Sequence, residues 1–149
     1  MRLNLGDLID ANEEAGSEIV ISGAASAEKI REAELLLGVD FSTSYKEFLS
    51  EYGAMEIDGR SFAGLTPNPV GEAGDVVTFT RYARAEYGLP NHYVALDFQD
   101  GDVFLCIDTS QKAADGESPM ALVSAVDGRK MGAVAAKSWG DYLMKYLSS

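Results

Sequence analysis

The stretch YVALDFQDGDVFLCID, Tyr93 to Asp108, reads as two β-strands around a tight turn. Asp-Gly is a favoured two-residue hairpin loop, because both of its positions take positive φ. With Asp100-Gly101 as that loop, Val94 faces Ile107, Leu96 faces Leu105 and Phe98 faces Val103. Six apolar side chains then share one sheet face, each contributing about 1.5–3 kcal/mol when fully buried. The opposite face carries Tyr93, Asp97, Asp102, Phe104, Cys106 and Asp108. A one-residue slip or a bulge exchanges the two faces, so much of the fold turns on this register.

Three more Asp-Gly pairs occur, at 58–59, 115–116 and 127–128. AMEIDGRSFAGL predicts a hairpin over 54–65, and MALVSAVDGRKMGAVA another over 120–135. The stretches 66–75 and 109–119 read as loops. Around this β-structure lie helical patterns. Leu5, Leu8 and Ile9 predict a first helix that Gly16 ends. Ser26 is a good N-cap for a second, with Ile30, Ala33 and Leu37 on one side and Gly38 at the stop. Ser42 is the expected cap of a third, where Tyr45, Phe48, Leu49 and Tyr52 fall at i, i+3, i+4 and i+7 and Gly53 closes the run. A fourth is expected from about Val76 to Tyr87, ended by Gly88 and Leu89-Pro90. The C-terminus repeats the device with Trp139, Tyr142, Leu143 and Tyr146 after Ser138. The order predicts an α+β domain spanning 1–149, an antiparallel or mixed β-sheet with helices packed mainly on one face. N-terminal helices and a C-terminal closing helix complete it.

The chain has 149 residues, enough to bury a substantial core and short for two domains. Twenty-four acidic residues against 12 basic ones give a formal charge of −12. That argues against nucleic acid and anionic membranes, which attract basic surfaces. It favours either simple solubility or a basic protein partner. No apolar run approaches the roughly 20 residues that span a bilayer. No basic segment followed by an apolar run opens the chain, so no secretory leader is expected. Cys106 is the only cysteine and cannot close an internal disulfide, which fits a reducing cytoplasm.

Catalysis finds no foothold in the residue types. The only histidine is His92, and pairing it with Cys106 would need a thiol that the strand pattern half buries. DFQDGD, Asp97 to Asp102, departs from the order of acids and glycine in an EF-hand loop, so a turn explains it better than a calcium site. No GxGxxG or GxxxxGK phosphate loop occurs. No catalytic residue, metal site or cofactor is therefore expected.

The ordered features resemble the SUKH superfamily, the Smi/Knr-like domain. ISGAASAEKIREAELLLGVDFSTSYKEFLSEYG resembles its N-terminal signature, with Ala33-Glu34, Leu37-Gly38 and a Tyr-x-x-Phe-Leu helix at Tyr45, Phe48 and Leu49. Gly64-Leu65 resembles the short strand that follows. GLPNHYVALDFQDGDVFLCID resembles the family's central hairpin, and VAAKSWGDYLMKYL its closing aromatic helix. The resemblance covers roughly 20–147. Two departures stand out: Phe41-Ser42 replaces the usual Leu-Pro, and Tyr52-Gly53-Ala54 replaces an Asn-Gly-Gly-like turn. Serine caps a helix as well as proline opens one, so the first change leaves the fold intact.

The resemblance implies a non-enzymatic immunity protein that binds and neutralises a polymorphic toxin, often a nuclease or deaminase. It also leaves open a scaffold or adaptor of the same fold. On the hairpin register above, Tyr93, Asp97, Asp102, Phe104 and Asp108 form the expected partner-binding patch, provided nothing covers that face. A basic toxin protein is the expected partner.

Overall fold

The computed structural model describes residues 5–132 and 134–148. Along the chain run α1 (Gly6–Glu14), β1 (Ile19–Ile21), α2 (Ala27–Leu37), α3 (Thr43–Glu51), β2 (Met55–Ile57) and β3 (Arg60–Phe62). Then come α4 (Val76–Tyr87), β4 (Tyr93–Gln99), β5 (Val103–Asp108), β6 (Met120–Ser124) and α5 (Trp139–Ser148). The strands form two antiparallel three-stranded sheets, β1-β2-β3 and β4-β5-β6. A backbone bond from Ala63 N to Leu96 O (2.9 Å) joins the end of β3 to β4. The architecture is α+β, as the pattern predicts.

The central hairpin corrects the predicted register. Tyr93, Val94 and Ala95 pair with Asp108, Ile107 and Cys106 as expected. The loop, however, holds three residues, because Gln99 pairs with Val103, and a bulge at Leu96 absorbs the shift. Two residues, Leu96 and Asp97, thus oppose Leu105 alone, and Phe98 faces Phe104 rather than Val103. The reason lies in the rings. The slip lays Phe98 flat on Phe104, centroids 4.2 Å apart and planes 10° apart, where the predicted register would separate them onto opposite faces.

Two cores result, one on each side of β4-β5-β6. The larger joins Val94, Leu96, Leu105, Ile107 and Met120 to the apolar stripes of α2, α3 and α5. Trp139 is fully buried there, with ring contacts to Phe48 (5.2 Å), Phe62 (5.3 Å) and Tyr45 (6.0 Å). The smaller core joins Tyr93, Ala95, Phe104, Cys106, Ala121 and Val123 to Ala83, Phe79 and Tyr87 of α4. The helices therefore do not all serve one face. α4 also shields the open edge of β4, where Thr80 Oγ1 accepts from Ala95 N (3.1 Å).

Most helix ends follow the predicted chemistry. Ser26 accepts from Lys29 N, Ser138 from Asp141 N, and Gly38 and Gly88 end their helices with left-handed φ. Asp75 and Thr78 form a reciprocal capping box on α4. At α3 the expectation fails in detail: Ser42 occupies the N-cap position, yet its side chain makes no capping bond. Glu117, from the loop after β5, caps instead, accepting from Ser44 N at 3.1 and 3.2 Å and from Ser44 Oγ at 2.8 Å. Its negative charge also suits the positive end of the helix dipole. The predicted hairpin over 120–135 forms only its first arm, β6. The return arm touches β6 through isolated bridges at Lys130 and Ala136, and position 133 lies outside the described residues.

Candidate functional site

The five residues expected to form one patch are dispersed. Phe104 is fully buried, held by Phe98 and by edge contacts to Tyr87 (5.4 Å) and Phe79 (5.9 Å). Tyr93 is buried in the same small core. Both rings belong to the packing under α4 and offer no exposed contact surface. Asp97 is carried by the bulge to the other side of the sheet, where its Oδ2 accepts from Arg60 Nε (2.9 Å). Asp102 is exposed in the hairpin loop. Asp108 is buried at the far end of β5 and accepts from Ser110 N (3.1 Å), Ser110 Oγ (2.6 Å) and Gln111 Nε2 (2.9 Å). Burial works to raise its carboxyl. Those hydrogen bonds, with a smaller contribution from His92, outweigh it and hold the carboxyl below the ordinary value.

The structure assembles a different feature, a groove between β3 and β4. The two strands meet where Ala63 N donates to Leu96 O. Beside α4 they enclose a hollow of about 450 Å³ with Leu96, Phe79 and Phe98 among its walls. Toward the turns it opens into a wider space lined by Asp58, Arg60, Asp97 and Asp100. Ser61, Asp97 and Phe98 line both, so the two hollows form one continuous groove with an aromatic wall and an acidic mouth. The mouth is built by two Asp-Gly turns brought side by side. Asp58 (φ 50°) and Asp100 (φ 53°) each take the left-handed conformation that aspartate tolerates, and each is followed by a left-handed glycine.

Arg60 is the basic residue of this mouth, and it is already engaged. Its guanidinium donates to Asp97 and to the Tyr142 hydroxyl (2.9 Å) and lies over the rings of Phe62 (4.7 Å) and Tyr146 (4.9 Å). Burial opposes its charge, but the bonds to Tyr142 and Asp97 prevail and raise its pKa, so it stays a cation. Its charge cancels Asp97, and Asp58 and Asp100 leave the mouth net negative. The groove can therefore admit an apolar or aromatic group flanked by positive charge.

The catalytic alternative meets specific geometry. Cys106 is fully buried, and desolvation, with Asp108 nearby, pushes its thiol far above the ordinary value, so the nucleophilic thiolate is suppressed. His92 Nε2 stands 3.9 Å from Asp108 Oδ1 at the protein surface. Among the described residues no group of three His, Cys, Asp or Glu side chains is arranged to hold a metal ion.

Among the described residues, five helices around two small antiparallel sheets make this an α+β protein. The chain belongs to the SUKH family described as SMI1-KNR4 cell-wall, whose sequence profile matches residues 5–143. The fold also matches a crystal structure of a protein from Pseudomonas syringae pv. tomato, with a TM-score of 0.67. That match covers 97% of this chain and 100% of the other at 18% sequence identity, a likeness of fold.

Residue patterns alone left the groove unseen. The Asp58-Gly59 and Asp100-Gly101 turns are legible as turns, but their adjacency depends on the contact of β3 with β4, which no local periodicity encodes. The bulge that turns Asp97 toward Arg60 is equally silent. A hint does exist: Leu96-Asp97-Phe98 places an acid between two large apolar residues, and a strict alternation leaves that acid opposite Phe104.

Proposed function

We propose that the chain is a non-catalytic immunity protein that binds a cognate toxin of nuclease or deaminase type and neutralises it stoichiometrically in the cytoplasm. Family membership supports the role class. The observation that carries the reading furthest is the acidic-mouthed, aromatic-walled groove on a chain of charge −12. A nuclease or nucleic-acid deaminase presents a basic cleft to its own substrate, and an acidic surface competes for that cleft by charge complementarity. Phe98 and Phe79 supply apolar area beside the charges, and paired aromatics and charges are the composition of strong interface anchors. The whole chain acts as one inhibitor unit.

Co-expression with the toxin encoded beside it is the test. The wild-type chain restores growth, and Asp58→Lys/Asp100→Lys abolishes rescue while the purified variant melts within a few degrees of wild type. Retained rescue by this double variant removes the groove from the interface. Failure of the wild type to protect against any neighbouring toxin, with stable capture of a housekeeping protein, would favour an adaptor of the same fold.

A further inference from the structure

We infer that the outer edge of β1, which pairs with no strand among the described residues, is a docking strand for an extended segment of a basic partner protein, adding a fourth strand to the sheet β1-β2-β3. The backbone pattern identifies the open groups. Asp58 N donates to Glu18 O (2.8 Å) and Ser22 N donates to Ala54 O (3.0 Å), so Glu18, Val20 and Ser22 turn their peptide groups toward β2. Ile19 and Ile21, between them, turn theirs outward. Among the described residues, the edges of the other sheet are occupied. β4 is covered by Thr80 and bonded by Ala63, and β6 is bridged by the segment from Arg129 to Ala136. At β1 the residues from Val20 to Ala24 are all exposed, Val20 by 51% and Ile21 by 40%.

β1 is short, at three residues, but its exposed aliphatic edge carries no proline, lysine or bulge, and a row of outward backbone groups is a template for pairing. Charge selects the occupant. Glu18, Glu56 and Asp58 belong to this sheet, and its one cation, Arg60, is spent on Asp97. Val20 stands in register with Glu56 and Ser61, and a hollow lies over this row. Strands pack about 4.8 Å apart, so a residue added beside Val20 lies about 10 Å from Glu56, the combined reach of a lysine and a glutamate side chain. The segment that fits alternates aliphatic and cationic residues. A second copy of this chain is disfavoured, because it brings the same carboxylates to the seam.

The probe is a capped peptide of about eight residues alternating valine and lysine, titrated into the intact protein with amide exchange read by NMR. Binding slows exchange at Ile19 and Ile21 and weakens as salt is raised. Ile21→Pro removes an outward N–H without touching the ladder to β2 and weakens binding at least about tenfold. The same peptide N-methylated on alternate residues loses binding by a similar factor, which tests the ladder without altering the protein. Asp100→Lys alone reverses a charge at the groove mouth and lies outside the sheet β1-β2-β3; lost rescue with continued protection at Ile19 and Ile21 in it separates this edge from the toxin-binding reading. Absence of binding overturns the inference. So does equal binding of a valine–glutamate peptide, equal binding by Ile21→Pro, or a concentration-dependent dimer joined through β1.

Discussion

Ser42 and Ser44 make opposite forecasts for the entry to α3. Residue pattern assigns the cap to Ser42, and loss of a capping serine costs about 1 kcal/mol. The structure assigns the work to Ser44. Its hydroxyl donates to Glu117 Oε1 (2.8 Å) and accepts from the buried Gly140 N (2.9 Å), tying the starts of α3 and α5 to the loop after β5. Ser44→Ala leaves Gly140 N–H buried without an acceptor, about 1–3 kcal/mol, and removes a hydrogen bond to a carboxylate. Glu117 keeps its bonds from Ser44 N, so the sum stays near 3 kcal/mol rather than at the additive limit. For a chain of this length that is a drop in melting temperature of about 6–12 °C. Ser42 Oγ is buried without a partner, and Ser42→Ala is therefore neutral or slightly stabilising. Urea titration of both variants, with Glu117→Gln and the Ser44→Ala/Glu117→Gln double variant to close a cycle, reads all these terms. A loss below about 0.5 kcal/mol for Ser44→Ala, or a larger loss for Ser42→Ala, refutes the assignment.

Three further outcomes follow from the packing. Phe104→Ala excavates the small core and costs about 3–5 kcal/mol by denaturant titration; an unchanged midpoint would show that the ring is not enclosed. Gly64→Ala drives a methyl into the carbonyl oxygen of Gly53 and costs about 3 kcal/mol or more, which soluble yield and thermal melting both register. Asp108 sits below its unfolded pKa, so its stabilisation is complete above about pH 4 and is lost as pH falls through the depressed folded value. Asp108→Asn removes that contribution and flattens the acid limb of the stability curve, while a limb identical to wild type would show that the carboxylate adds nothing.

What could be read directly from residues was local. Helix stripes and glycine stops reproduce α2, α3 and α4 closely, because amphipathic period and left-handed φ act within a few residues. The Ala33-Glu34 pair shows what lies beyond that reach. Ala33 is fully buried in the main core, and Glu34 Oε2 accepts from Phe41 N (2.8 Å), holding the link into α3. Gly53 and Gly64 are separate signals in the chain and one contact in space, where Leu65 N also donates to Gly53 O (2.8 Å). The five residues of the expected patch lie apart for a related reason. Alternation assigns them to one face, and alternation cannot report a bulge or a helix that returns to cover the sheet.

The bulge at Leu96 makes residue count, as distinct from residue type, a determinant of the groove wall. With the extra residue present, Asp97 faces Arg60 and the groove while Phe98 joins the core. With the β5 pairing kept, deleting Leu96 or Asp97 would remove the bulge yet leave Phe98 opposite Phe104 and Gln99 opposite Val103, so the later side chains of β4 hold their faces. A single codon gained or lost here therefore adds or removes one residue of the groove wall, Asp97 being one such residue, without re-registering the rest of the hairpin. Residue number at the bulge thus alters the wall while the hairpin pairing and the Phe98–Phe104 stack stay in place.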